Sequence, residues 1–238
     1  MKALINNARR NLLTLNDLVT KQSERYQNQK IGFHDPFYDP KEFEFIHIPK
    51  CAGTSLAEAL LQLPGIGDHK HRPIAMCDLV KIYNKQPIKT KYITVIRNPV
   101  ERVWSYYNMI SVKGHYAWGR YTNSLNDFLA NCWEVNNMMI QYLACKPREK
   151  NLDFADFEMA KTVLSKFYFV LDMSQLNKDF CSLNCKLKED FKLDLGSLPL
   201  LNKATRYKSP TEEQVRKIQI YNQLDLKLYK ELFPQTSD

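Results

Sequence analysis

Apolar positions along the chain fall into two arrangements: short continuous runs, and longer stretches at helical spacing. Phe43, Phe45, Ile46 and Ile48 form a run that follows Glu42 and stops at Pro49. A short run bounded in this way predicts a buried parallel strand. Pro49-Lys50-Cys51-Ala52-Gly53-Thr54-Ser55 then reads as a loop, and Leu56 to Leu63 returns to helical periodicity before Pro64-Gly65 ends it. The same order recurs at Tyr92-Ile93-Thr94-Val95-Ile96, a β-branched strand pattern. Arg97-Asn98-Pro99 turns the chain there, and a helix follows from Val100 to about Ile110 with Pro99 suited to its first turn. Two strand-loop-helix units imply an α/β fold with a central parallel sheet flanked by helices.

The remaining pattern adds helices and one more strand. Ser124 is placed to cap a helix running to about Leu143, and a second helix spans about Ala155 to Lys166. Phe167 to Leu171 is a third strand candidate. Ser209-Pro210-Thr211-Glu212 combines an N-cap, a first-turn proline and a capping-box glutamate. It opens a long C-terminal helix with Val215, Ile218, Leu224, Leu228 and Leu232 inward. Residues 1 to about 30 are polar with a partial stripe at Leu12, Leu13, Leu15, Leu18 and Val19, and Asp35-Pro36 and Asp39-Pro40 then break regular structure. This divides the chain into a helical extension over 1–40 and a single domain over 41–238, a length sufficient for one buried core.

Charge narrows the partners. The 238 residues carry a net charge of +8, which points to anionic partners. The basic residues are dispersed, without the dense arm that binds nucleic acid, and the aromatic residues are spread through predicted core elements, so no nucleic-acid partner is expected. No run of eighteen apolar residues exists and no signal-peptide core follows Met1, so no stable membrane insertion is expected and a cytoplasmic location is favoured. The alternative is the Golgi lumen, for a soluble catalytic fragment. Cys51, Cys77, Cys132, Cys145, Cys181 and Cys185 lack zinc-knuckle or redox spacing and read as unbridged thiols, with no metal site.

The first loop carries the chemistry. A helix N-terminus offers unpaired backbone N–H groups and partial positive charge, and small residues let them close around a phosphate or sulfate. Cys51, Ala52, Gly53, Thr54 and Ser55 are all small, and Lys50 adds a compact point charge. Ser55 and Glu58 equally fit a plain capping box. The loop is not a nucleotide-triphosphatase loop, because the lysine precedes the turn instead of following Gly.

Ile46-His47-Ile48-Pro49-Lys50-Cys51-Ala52-Gly53-Thr54-Ser55-Leu56 resembles the 5′-phosphosulfate loop of sulfotransferases that use 3′-phosphoadenosine-5′-phosphosulfate (PAPS). It is closest to the carbohydrate branch, whose loop reads His-Ile-Pro-Lys, then small residues and Gly-Thr-Ser. Cys51-Ala52 departs from the Thr and Gly usual there, with both replacements small. Arg97-Asn98-Pro99-Val100-Glu101-Arg102-Val103-Trp104-Ser105 is similar to the family's 3′-phosphate motif. The resemblance implies a P-loop-like three-layer fold, PAPS as sulfuryl donor without a metal, Lys50 to Ser55 on the 5′-phosphosulfate, and Arg97 with Ser105 on the 3′-phosphate. Leu198 to Lys203, with Asp225 and Tyr229 beyond, is similar to the branch's tail and implies Asn202 and Lys203 as further donor-binding residues.

Sulfuryl transfer needs a base for the acceptor hydroxyl, and histidine suits neutral pH. His69-Lys70-His71 resembles the branch's base region, so His71 joins Lys50 as a catalytic candidate, with His69 second. His47 lies in a predicted strand and reads as a core histidine. The acceptor is expected to be a hydroxyl of a saccharide or polysaccharide, with Tyr116, Trp118, Tyr121 and Trp133 either lining a sugar site or packing the core. Two rival readings stand beside this. One is an ATP-dependent phosphotransferase, which needs a carboxylate such as Asp78 or Asp172 on magnesium. The other is a non-catalytic module for anionic polymers.

Overall fold

Strands β1 (Phe43–Ile46), β2 (Lys91–Ile96) and β3 (Phe169–Asp172) lie side by side in that order, and both pairs are parallel. The register sets Ile46 opposite Thr94 and Ile96 opposite Asp172, so the three strands end on one edge of the sheet. The computed structural model describes residues 38, 40–66, 72–113, 124–132, 135–146, 149–199 and 208–234. The expected helix over the first thirty residues lies outside the described residues. The residues from Pro36 onward form one compact unit.

Helices α1 (Gly53–Leu60), α2 (Met76–Tyr83) and α3 (Pro99–Lys113) alternate with the first two strands, giving the α/β arrangement that the periodicity predicts. Beyond them come α4 (Leu125–Asn131), α5 (Met138–Leu143), α6 (Phe154–Leu164), α7 (Leu176–Phe191), α8 (Glu212–Tyr221) and α9 (Gln223–Leu232). Phe43, Ile46, Ile93, Val95 and Ile96 of the sheet are buried, as are Leu56 and Leu60 of α1, Val103 and Ile110 of α3, and Leu183 and Leu187 of α7. No helix among the described residues is long and apolar enough to cross a membrane. The six cysteines form no disulfide.

Several boundaries differ from the sequence pattern, each for a local reason. Helix α1 starts at Gly53, three residues before Leu56, because Ala52 turns into the left-handed region (φ 56°) and the helix starts at once. The helix expected over 124–143 is two helices, α4 and α5, separated by Asn137 at φ 47°. Asparagine tolerates that conformation, and its Oδ1 accepts the backbone N–H of Leu224 and Asp225 at 3.1 Å each. The C-terminal helix likewise breaks, at Asn222. Its cap is Thr211, not Ser209, because Thr211 and Gln214 close a reciprocal capping box. Helices α2 and α7 are additional to those the pattern predicts, and in α2 Met76, Leu79 and Ile82 are buried at helical spacing.

Candidate functional site

Parallel sheets present their ligand sites where the strands end. The loops leaving β1 and β2 emerge together on that edge. In the first, Lys50 (φ 69°) and Ala52 (φ 56°) both sit in the left-handed region, which disfavours residues bearing a Cβ by about 1–2 kcal/mol each. Contacts hold the shape. Cys51 N–H donates to the Ile48 carbonyl at 3.3 Å, and the Thr94 hydroxyl donates to the Ile46 carbonyl at 2.9 Å. The Cys51 thiol is wholly buried and takes a backbone hydrogen bond from Arg97. Burial pushes its pKa up to about 12 against the opposing pull of Arg102 and Arg97. Cys51 is therefore a protonated packing group, and it can serve an anion only through its backbone.

Helix α1 follows with its N-terminus uncapped by any side chain and with no acidic residue in its first turn. Ser55 is already the third helical residue, so the Ser55–Glu58 capping box is not formed. Thr54 is exposed and Ser55 half-buried, which leaves two hydroxyls beside the first-turn amides. Gly53 faces inward. A Cβ there would lie 1.8 Å from Nε2 of His47, whose buried ring stacks on Phe45 at 5.4 Å between ring centroids. His47 is thus a core histidine beneath the loop. Gly53→Ala is expected to cost about 1–3 kcal/mol through overpacking, read as a lower midpoint in urea with an unchanged slope.

Arg97 joins the two loops. Its Nη1 donates to the Lys50 carbonyl at 3.2 Å and its Nε to Glu101 Oε2 at 3.2 Å. The Lys50 Nζ reaches Met109 Sδ of α3 at 3.6 Å. Ser105 is half-buried on α3, one turn beyond Glu101 and on the same face. Trp104 Nε1 donates to the Lys208 carbonyl at 2.8 Å, which holds the start of the C-terminal segment against α3. Lys50, Arg97 and the start of α1 are thus brought together, and Ser105 projects from the helix that follows Arg97. Asn202 and Lys203 lie outside the described residues, as do His69 and His71 and the aromatic candidates Tyr116, Trp118, Tyr121 and Trp133.

Asp78 and Asp172, the carboxylates named for a magnesium-dependent reading, are each engaged in other contacts. Asp78 of α2 accepts from Lys81 Nζ at 2.7 Å and from the Tyr92 hydroxyl at 3.0 Å. Tyr92 is the second residue of β2, so Asp78 sits toward the opposite edge of the sheet. Asp172 ends β3 and is buried, but it accepts from the Ser174 N–H and hydroxyl at 3.0 and 2.6 Å and from the Tyr229 hydroxyl at 3.1 Å. It caps a turn and ties down α9. Among the described residues no group of three potential metal ligands occurs.

A buried ion pair between α3 and α9 is not marked by any motif of the sequence. Arg102 of α3 is fully buried, with Asp225 of α9 also fully buried at 3.8 Å. The guanidinium donates to the Val135 carbonyl and, at 3.4 Å, to Asn222 Oδ1. Asp225 accepts the N–H of Met139 and Ile140 at 3.1 and 3.0 Å, capping α5, while Asn137 returns the same service to α9. Burial raises the Asp225 pKa, and Arg102 opposes that shift. The two charges act on the buried Cys51 thiol in opposite directions, Arg102 lowering its pKa and Asp225 raising it. The nearest sequence signal was an arginine three residues into an otherwise amphipathic helix.

No protein-family model matches the chain, and no curated protein matches it. Among solved structures the chain is similar to a sulfotransferase from Alicyclobacillus acidocaldarius. That likeness has a TM-score of 0.46 and 14% sequence identity, and it covers 83% of this chain and 96% of that one.

Proposed function

We propose that the chain is a PAPS-dependent sulfotransferase, with residues 41–238 as its catalytic domain and a saccharide hydroxyl as acceptor. The observation that carries this reading is the junction of the two motif loops, where Arg97 Nη1 meets the Lys50 carbonyl at 3.2 Å beside the uncapped start of α1. Two anion-binding elements that close together suit a donor with phosphate-type groups at both ends. The residues fit that donor: the amides at the start of α1, Thr54, Ser55 and Lys50 for its 5′ end, and Arg97 with Ser105 for its 3′-phosphate. Asn202 and Lys203 are proposed as further donor contacts. The donor supplies the sulfuryl group and leaves as adenosine 3′,5′-bisphosphate.

His71, with His69 as second candidate, takes the proton of the acceptor hydroxyl as that oxygen bonds to sulfur. Lys50 and the first-turn amides carry the negative charge that builds on the departing 5′-phosphate oxygen as its bond to sulfur breaks. In this reading positioning does most of the catalytic work. The positive net charge of +8 suits an acidic polysaccharide acceptor.

Isothermal titration calorimetry with adenosine 3′,5′-bisphosphate tests the donor site. Wild type is expected to bind in the micromolar range, about −8 kcal/mol, and Arg97→Ala to lose most of that affinity. Absence of binding to wild type, with ATP and magnesium binding in its place, would transfer the site to the phosphotransferase reading.

A further inference from the structure

Arg97 is held by two acceptors of different kinds. The Lys50 carbonyl takes Nη1, and the Glu101 carboxylate takes Nε, each at 3.2 Å. Among the described residues these are the contacts that fix its side chain. A guanidinium carries five N–H donors in a rigid plane, so two are spent and three remain, all on the two terminal nitrogens. The backbone link alone leaves the plane able to pivot about Nη1. A second acceptor on Nε removes that rotation. The end of the fork then faces away from Glu101, which is where a phosphate would meet two parallel donors.

We propose that Glu101 is a positioning residue for the 3′-phosphate subsite. It sets the plane of Arg97 so that the terminal fork is presented before the ligand arrives. The proposal rests on the donor reading above. Its bland counterpart is a surface ion pair at helical i,i+4 spacing, which contributes little to stability. The side-chain exposures, 21% for Arg97 and 62% for Glu101, suit a device that orients a half-sheltered binding group from the solvent side. A carboxylate beside an anion subsite also repels the ligand, so Glu101 is retained at a cost unless orientation outweighs it. Substitution at so exposed a position leaves the fold intact, which makes the test clean.

The experiment compares adenosine 3′,5′-bisphosphate with adenosine 5′-monophosphate by calorimetry on wild type, Glu101→Ala and Glu101→Gln. The two ligands differ only in the 3′-phosphate, so the ratio of their dissociation constants reads that subsite alone. Releasing one long side chain from its bound orientation weakens binding by roughly three- to tenfold. Glu101→Ala is expected to lose that much for the bisphosphate and nothing for the monophosphate. Glu101→Gln keeps an acceptor for Nε and is expected to hold the wild-type ratio or exceed it. An unchanged ratio in Glu101→Ala overturns the proposal, and so does an equal loss for both ligands. Tighter bisphosphate binding by Glu101→Ala overturns it too, because repulsion then dominates, and Glu101→Gln falling as far as Ala does the same. If wild type itself does not distinguish the two nucleotides, the donor reading fails and this inference falls with it.

Discussion

Replacing Arg102 with methionine is expected to lower stability by about 3–5 kcal/mol, the usual result of removing one partner of a buried ion pair. For a chain of this size that is on the order of 10 °C in the thermal midpoint. Methionine fills most of the volume, so the loss is electrostatic. It strands Asp225, which is fully buried and already has its pKa raised by burial. It also takes the guanidinium donor from the Val135 carbonyl, and leaves Asn222 Oδ1 with the Asn137 N–H alone. The pH dependence distinguishes this cause from a packing defect. A carboxylate whose folded pKa is raised gives stability that is present below its unfolded pKa and lost as pH rises through the folded one. Without Arg102 the Asp225 pKa rises further, so the deficit should shrink as pH falls toward 4 and widen toward 8. Adding Asp225→Asn should recover part of the loss, since an amide oxygen still accepts from α5 without a charge. A deficit that is flat in pH and unaffected by the second substitution would show that the ion pair is not its source. Chemical denaturation at pH 5 and pH 8 measures both.

The parts of the fold legible in the sequence are those set by neighbours along the chain. The β-branched run before Arg97 and the proline after it mark a strand and a helix start through local residues, even though the strand's partners are remote. Ser124 and Asp153 cap helices through their own side chains, by bonds to residues two or three positions on. The breaks at Asn137 and Asn222 were illegible because their cause is remote. Asn137 is bonded to residues 84 to 88 positions away, and its own N–H donates to Asn222 Oδ1. Periodicity alone runs straight through such positions, since each asparagine is an ordinary polar residue in its local window. The same holds for the site. The candidate residues and their order, with Lys50 and Arg97 leading, are proposed from the motifs alone. That Arg97 braces the Lys50 carbonyl, that Cys51 is a buried thiol and that Gly53 makes room for His47 depend on the packing of β1 against β2 and could not be read from spacing.

If the proposed sulfuryl transfer holds, Lys50→Ala is expected to reduce turnover on the order of 10²-fold or more, as for loss of one preorganised charge donor, while leaving the fold unchanged. Alanine and lysine meet the same penalty at the left-handed φ of 69°, because both carry a Cβ. The Arg97 contact is to the Lys50 backbone, so it survives the substitution. The side chain is half-buried with its Nζ at the thioether of Met109, a weak acceptor. The effect should therefore fall on the chemical step. Charge on the departing 5′-phosphate oxygen grows as the reaction proceeds, so an interaction with it is stronger at the transition state than before it. That predicts equal falls in kcat and kcat/KM, with the affinity for adenosine 3′,5′-bisphosphate changed far less. Lys50→Arg should rescue only in part, since a planar fork replaces a compact ammonium. If instead KM rises and kcat is retained, Lys50 serves only to bind the donor. Near-normal turnover in the alanine variant removes Lys50 from the mechanism and leaves the amides of α1 as the loop's contribution.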